Sequence, residues 1–398
     1  MIERPDAMQR VRLAHTEVLL AQLRSAGPLS RAELIRLTGL SRTTLFDIIG
    51  DLIARGVVVE REPALSGHRG RGRPSTTVSL NPSAGRIVGI DLGRATITVI
   101  VATLGHDILA RGSRPITLTA GPARRANAAI KLIDDLVQQH DIDLRALEAI
   151  GLGLPGLVAG RSRSAGGSGG SPSVAAKQVS TRIQDRYGVA VVTDNNSRLA
   201  ALAEGTWGAT RDVRDAIYVR WSDGVGGGLI VDGRLARGAH GAAGEIGHVS
   251  VEPEGDPCPC GGRGCLELLI RPSALIEQCA RRGVTVADPA DLVARALAGE
   301  PIVSDVVRHA ATLLGRVLSG MVVQLDPGKV AIGGTLAHAG EAVLEPVRTA
   351  IGQLAIPGHT RRLDVVTAQF GDEGGALGAV AAALRLNMSE PLPALPTA

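Results

Sequence analysis

The stretch from Gly244 to Glu267, GEIGHVSVEPEGDPCPCGGRGCLE, constrains the fold of this chain more than any other. Three of the four cysteines, Cys258, Cys260 and Cys265, fall within eight residues, and His248 stands ten residues before the first. Three thiolates and one imidazole make a closed tetrahedral set for zinc, the arrangement of a structural rather than a catalytic ion. The glycines between the cysteines let one short loop fold back on a single metal. Three unrelated thiols in a loop are the alternative, but cysteines this crowded in a chain otherwise almost free of them want a common reason. The fourth, Cys279, reads as a small buried helix residue. Glu245 and Glu267 flank the set, so a metal that fixes the loop also fixes two carboxylates. The expectation is structural Zn2+ on His248, Cys258, Cys260 and Cys265, with the acids left to recognise a ligand.

A chain of 398 residues is long enough for two or three domains, and 44% apolar with 21% charged residues is a globular composition. No run approaches the roughly 18 uninterrupted apolar residues of a membrane span, and the opening MIERPDAMQR has no signal-peptide core. The expected location is the cytoplasm, with no membrane partner. Clustered cysteines in that reducing compartment point to metal rather than disulfides. Six aromatic residues leave little for stacking on sugars or bases. The charge is uneven: residues 1–80 carry 12 Arg against 8 Asp or Glu, so the whole net charge of +4 sits there and the rest balances. A basic end on a neutral body points to a polyanion partner for that end.

Within those 80 residues, positions 12–25 repeat apolar side chains at helical spacing and stop at Gly27-Pro28. Ser30 to Glu33 has the form of a capping box and opens a helix over 31–37. Gly39 supplies a left-handed turn, and Ser41 caps a second helix over 42–55. Strands over 57–60 and 76–80 complete a winged helix-turn-helix. In such a unit the second helix enters the major groove, which presents Ser41, Arg42, Thr43 and Thr44 to DNA, with Asp47 on the same face. A helical hairpin that merely packs is the competing reading. The run HRGRGRP weighs against it, because Arg69, Arg71 and Arg73 between glycines can enter a narrow minor groove.

Beyond residue 80 the order is strand, strand, strand, helix, strand, one lobe of an α/β fold with a mixed sheet. Strands are expected over 87–93, 96–103, 107–113 and 149–154, with a helix over 124–139. Residues 160–173, GRSRSAGGSGGSPS, read as a Gly/Ser loop. A second set follows, with a strand over 190–193, a helix over 197–205, a strand over 216–220, a Gly-rich turn at 224–228 and a strand over 229–231. The metal loop, further helices, a strand over 329–332 and an Ala-rich helix over 374–386 close the chain.

The motifs G-E-x-G-H and C-x-C-G-x-x-G-C-x-E, matched by Gly244 to His248 and by Cys258 to Glu267, make the chain resemble the ROK family of sugar-responsive repressors and sugar kinases. It most resembles the repressor branch, which includes xylose and N-acetylglucosamine repressors. The resemblance runs nearly the full length. It implies a two-lobed, actin-like ATPase (ribonuclease H-like) fold, lobe one at about 81–195 plus the C-terminal helix and lobe two at about 196–370, after the winged unit at 1–80; the Pro-rich tail at 388–398 reads as disordered. It also implies a homodimer or homotetramer, and Glu245, His248 and Glu267 facing sugar hydroxyls.

The kinase branch needs a carboxylate base in an N-D dipeptide before an Ala-rich helix ending in Glu. Aligned backwards from Ala200 to Glu204, that dipeptide here is Asn195-Asn196. An amide can hydrogen-bond a hydroxyl but cannot take its proton. The family's D-L-G-G-T loop reads Asp91-Leu92-Gly93-Arg94-Ala95, and its G-T-G-x-G-G-G loop carries Asp223 where phosphate should sit. The expectation is a repressor of carbohydrate genes that binds a DNA operator, holds an effector on Asn195, Asn196, Glu245, His248 and Glu267, and catalyses nothing. The family's proline-asparagine and tryptophan segment has no counterpart in the Gly/Ser run, so a sugar phosphate on Arg161 or Arg163 is a second candidate effector. The competing readings are a sugar kinase with an appended DNA-binding domain and a ligand-independent regulator with a decayed pocket.

Overall fold

The computed structural model describes residues 12, 15, 16, 18–23, 27–61, 76–81, 85–156, 172–356 and 362–387. Arg69, Arg71 and Arg73, Arg161 and Arg163, most of the Gly/Ser run and the tail at 388–398 lie outside the described residues.

At the N-terminus the local signals act as the spacing predicts. After β1 (Leu29–Ser30), the Ser30 Oγ accepts from the Glu33 N–H, and the Glu33 carboxylate accepts from the Ser30 N–H at 2.8 Å, which opens α1 (Arg31–Thr38). Gly39 at φ +68° ends that helix. Ser41 Oγ then accepts from the Thr44 N–H at 3.1 Å to start α2 (Arg42–Ala54). Leu45, Ile48, Ile49 and Leu52 fall on one face of α2 and are buried. Strands β2 (Val58–Arg61) and β3 (Thr77–Leu80) pair antiparallel, and β1 adds to the far side of β3. A two-residue strand carries no periodicity, so β1 has no signal in the sequence.

The first lobe has a five-stranded sheet. Strands β4 (Arg86–Leu92), β5 (Thr96–Thr103) and β6 (Ile108–Pro115) form an antiparallel meander. After α3 (Pro122–Gln139), β7 (Leu147–Leu154) pairs parallel to β4. After α4 (Pro172–Tyr187), β8 (Ala190–Asn195) pairs parallel to β7. Helices α3 and α4 cover one face through Ala129, Ile133, Leu136, Val179 and Ile183. The sequence reading omits α4, whose buried apolar positions are few.

The second lobe repeats the plan. Helix α5 (Asn196–Thr206) leads to β9 (Ala216–Trp221), β10 (Val225–Val231) and β11 (Arg234–Leu235), all antiparallel. Helices α6 (Leu266–Ile270), α7 (Pro272–Arg281), α8 (Pro289–Leu297) and α9 (Pro301–Leu325) precede β12 (Lys329–Gly333), which runs parallel to β9. Helix α10 (Glu341–Leu354) leads to β13 (Asp364–Thr367), parallel to β12. Among the described residues α9 alone is long and apolar enough to cross a membrane. Its buried face, with Val303, Val307, Leu314 and Leu318, belongs to the core of this lobe.

The last helix, α11 (Gly374–Asn387), packs on β4, β7 and α5, so α5 and α11 lie together between the two sheets. Residues 224–228 are expected as a turn, yet Gly226, Gly227 and Gly228 lie in the first half of β10. A Cβ on Gly226 would meet Ser197 Oγ at 2.3 Å, and one on Gly228 would meet the Ala201 Cβ at 2.5 Å. The glycines let α5 lie directly on the strand, which overrides their usual preference for turns. The apolar core also runs across position 80: Leu45, Ile49 and Val78 share one cluster with Ile87, Ile100 and Leu104 and with Ala376, Val380 and Leu384 of α11.

Candidate functional site

Two neighbouring sites emerge on the second lobe and in the cleft beside it. The metal loop folds by backbone pairing, with Ser250 bridged to Cys265 and Pro257 to Arg263. Gly264, at φ +54°, passes so close to the Glu252 carbonyl that a Cβ would lie 1.7 Å from its oxygen. His248, Cys258, Cys260 and Cys265 then present ligand atoms that all lie within 4.8 Å of one another. His248 Nδ1 is 3.6 Å from Cys258 Sγ, and Cys260 Sγ is 3.6 Å from Cys265 Sγ. A tetrahedral zinc with bonds of about 2.3 Å to sulfur and 2.0–2.1 Å to nitrogen requires separations of roughly 3.8 Å and 3.5 Å. The four residues therefore fit one such ion in composition and in spacing. Burial and the adjoining thiols push the Cys265 thiol up to about 12, so without a cation this buried sulfur keeps its proton. Cys279 is apart from the set, buried in the core of α7 as expected.

The cleft between the lobes has a volume of about 340 Å³. Asn195, Asn196, Glu245, His248 and Glu267 all line it. Their roles differ once their partners are counted. Asn195 caps α5, its Oδ1 accepting from the Ser197 and Arg198 N–H groups while its Nδ2 donates to the Gly156 carbonyl at 3.0 Å. Its side chain is thus spent on the backbone. Asn196 Nδ2 donates to Asp91 Oδ1 at 3.0 Å. Glu267 Oε2 accepts from the Val225 N–H at 2.9 Å, and its Oε1 faces Arg94 Nη1 at 3.6 Å. Burial pushes the Glu245 carboxyl up, opposed by His248 and Arg198 and reinforced by Glu267. Glu204 at the end of α5 stays outside the cleft, tying the Ala209 and Phe370 N–H groups.

Sequence reasoning missed Arg220. Its Nη1 donates to Asp91 Oδ2 at 2.7 Å, and Asp91 is 2% exposed. Burial alone would depress the guanidinium, but the Asp91 carboxylate outweighs it and holds Arg220 above its ordinary value. Asp91 ends β4 in one lobe and Arg220 sits on β9 in the other, so this pair and Arg94–Glu267 both cross the cleft. A charged residue inside the apolar strand AIYVRW was the signal available. Asp223 lines the cleft beside them, at the position the sequence comparison marked as hostile to phosphate.

On α2, Arg42 and Thr43 are exposed, whereas Thr44 turns its hydroxyl to Ser41 Oγ at 2.8 Å. Ser41 and Thr44 therefore serve the helix cap, and Arg42 and Thr43 face outward.

Residues 87–385 match the model of the ROK family. The chain belongs to the ROK family. It is 25% identical over 384 residues to the DNA-binding transcriptional repressor Mlc of Escherichia coli K12, covering 94% of each chain. To the N-acetylglucosamine repressor of Escherichia coli O6:H1 it is 29% identical over 367 residues, 89% of this chain and 88% of that one. The crystal structure of a ROK family transcriptional regulator described as a homolog of the Escherichia coli Mlc protein superposes with a TM-score of 0.71 at 23% identity, over 94% of this chain and 96% of that one. The two-lobed ROK fold expected from the motifs is therefore the fold observed.

Proposed function

We propose that the chain is a DNA-binding transcriptional repressor of sugar-metabolism genes, acting in the cytoplasm as a homodimer or homotetramer. The observation that carries this reading is the likeness to named repressors along nearly the whole chain, N-terminal unit included. In this reading residues 1–80 are a winged helix-turn-helix, residues 81–387 the ROK domain and residues 388–398 a tail. Arg42 and Thr43 meet base edges, Ser41 and Thr44 hold the helix end that meets phosphate, and Arg69, Arg71 and Arg73 follow the minor groove. Zinc on His248, Cys258, Cys260 and Cys265 clamps the loop that carries Glu245 and orients Glu267.

The effector in this reading is a sugar. Glu245 and His248 offer hydroxyl partners from the clamped loop, and Asn196 offers its carbonyl from the other side of the cleft. A ligand that binds one lobe arrangement better than the other shifts the equilibrium between them. The apolar cluster shared by the N-terminal unit, the first sheet and α11 gives that shift a packed route to α2.

The same cleft argues against phosphoryl transfer. Position 196 is an amide, which cannot take a proton, and the loop from Asp91 to Ala95 lacks the second glycine and the threonine of the kinases, its Asp91 already held by Arg220 and Asn196. Selection of genomic fragments bound by the purified protein, followed by gel shifts with a sugar panel, tests the proposal. Recovery of fragments next to carbohydrate genes, released by one sugar, is the expected result. Absence of any enriched fragment refutes it, and ATP-dependent turnover of a hexose refutes the non-enzymatic half.

A further inference from the structure

Helix α2 buries Leu45, Ile48, Ile49 and Leu52, and exposes Arg42, Thr43, Phe46, Asp47 and Gly50 around the rest of its circumference. Phe46 is anomalous there. It is 38% exposed, and the chain has only two phenylalanines. It lies one helical turn beyond Arg42, on the stripe that faces outward. Its ring is covered on its face by arginine. The Arg31 guanidinium lies 4.1 Å from the ring centroid and is itself fixed to Glu60 on β2, with Nε to Oε1 at 2.8 Å. Because Glu60 neutralises Arg31, that arginine acts as a shelf for the ring more than as a phosphate contact. Arg42 sits 5.4 Å from the same centroid and makes no ion pair among the described residues. One further turn along, a Cβ on Gly50 would meet nothing. A glycine in an exposed helix interior weakens the helix and adds no packing, and here it strips the stripe of a side chain so that another surface can approach closely.

We propose that Phe46 is a specificity-determining residue that reads the C5-methyl group of thymine in the major groove, beside a base contacted by Arg42. This rests on the DNA-binding function proposed above. Thymine is the one base of ordinary duplex DNA that offers a methyl group on the major-groove floor, and apolar side chains, phenylalanine included, recognise it by contact. Charge complementarity brings the face to DNA: Arg42 leads the stripe on the basic end of the chain. Asp47, next to Phe46 and exposed like it, has the chemistry to accept from a cytosine amine.

The test uses the full-length protein and a random duplex library. The best selected duplex is resynthesised with each thymine in turn replaced by deoxyuridine, which differs only by the methyl group. For the wild type, at least one replacement per half-site is expected to weaken binding about fourfold, the worth of one buried methyl group. Phe46→Ala should lose that sensitivity at the same position, and Phe46→Leu should keep part of it. Both variants should melt like wild type and keep its salt dependence, whereas Arg42→Ala should weaken binding and relax the base preference at the neighbouring position. A wild type indifferent to every methyl deletion, or a Phe46→Ala protein that stays equally sensitive, overturns the proposal while leaving DNA binding intact. Failure to enrich any duplex overturns both readings.

Discussion

Replacing Arg220 by Met leaves the Asp91 carboxylate, which is 2% exposed, with the Asn196 amide at 3.0 Å as its remaining side-chain partner. The lost contact is a charge-assisted hydrogen bond of 2.7 Å, and Arg220 is itself only 15% exposed. A charged hydrogen bond contributes about 1.5–3 kcal/mol, and removing one partner of a buried pair costs about 3–5 kcal/mol because the other charge stays desolvated. Asn196 still answers one carboxylate oxygen, which places the expected loss near the lower end, about 3 kcal/mol. With about 2–4 °C per kcal/mol for units of 150–250 residues, melting should fall by about 6–12 °C. Urea unfolding of the metal-loaded protein at fixed pH provides the measurement. The double variant Asp91→Asn, Arg220→Met should regain most of the loss, since a neutral pair leaves no orphaned charge. An Arg220→Met protein within about 1 kcal/mol of wild type, or a double variant no better than the single one, would refute the buried-pair account.

Four other outcomes are expected. Cys260→Ser should lose one equivalent of zinc by metal analysis and lower the melting temperature, and equal zinc in variant and wild type would remove Cys260 from the ligand set. Because the Cys265 thiol is pushed up to about 12 in the absence of metal, binding must displace its proton, so zinc should be held less tightly as pH falls, as a competing chelator would report. Asn196→Asp puts a second carboxylate where an amide now lies 3.0 Å from Asp91; it should destabilise the protein and still show no turnover with ATP and hexoses, and turnover would reopen the kinase reading. Gly228→Ala would drive a methyl to 2.5 Å from the Ala201 Cβ, separating α5 from β10 at a cost of about 1–3 kcal/mol, measured by urea unfolding.

What could be read before any coordinates were those features whose determinants lie close together along the chain. The capping box at Ser30 and Glu33, the turn at Gly39 and the cap at Ser41 need only three or four residues each, and all three stand as the spacing requires. The cluster of His248, Cys258, Cys260 and Cys265 was legible because the four residues lie within 18 positions and because thiols and imidazole in that pattern have few other uses. Where two local rules competed, the sequence misled: glycines at 226–228 suggest a turn, but the packing of α5 made them a strand. The exposure of Phe46 was hidden for a similar reason, since an apolar residue in a helix is first assigned to the core.

The sequence by itself determined the family and the grouping of three thiols with one imidazole, because each is a matter of which residue type stands at which spacing. Only the tertiary structure decided what fills the cleft. Asp91 and Arg220 are 129 residues apart, and Asp91 and Asn196 are 105 apart. No periodicity links such positions; they meet because the two five-stranded sheets face each other across α5 and α11 and bring the ends of β4 and β9 to one cleft. There a buried carboxylate needs a partner, and the arginine supplied by the opposite lobe ties β4 to β9 across the cleft.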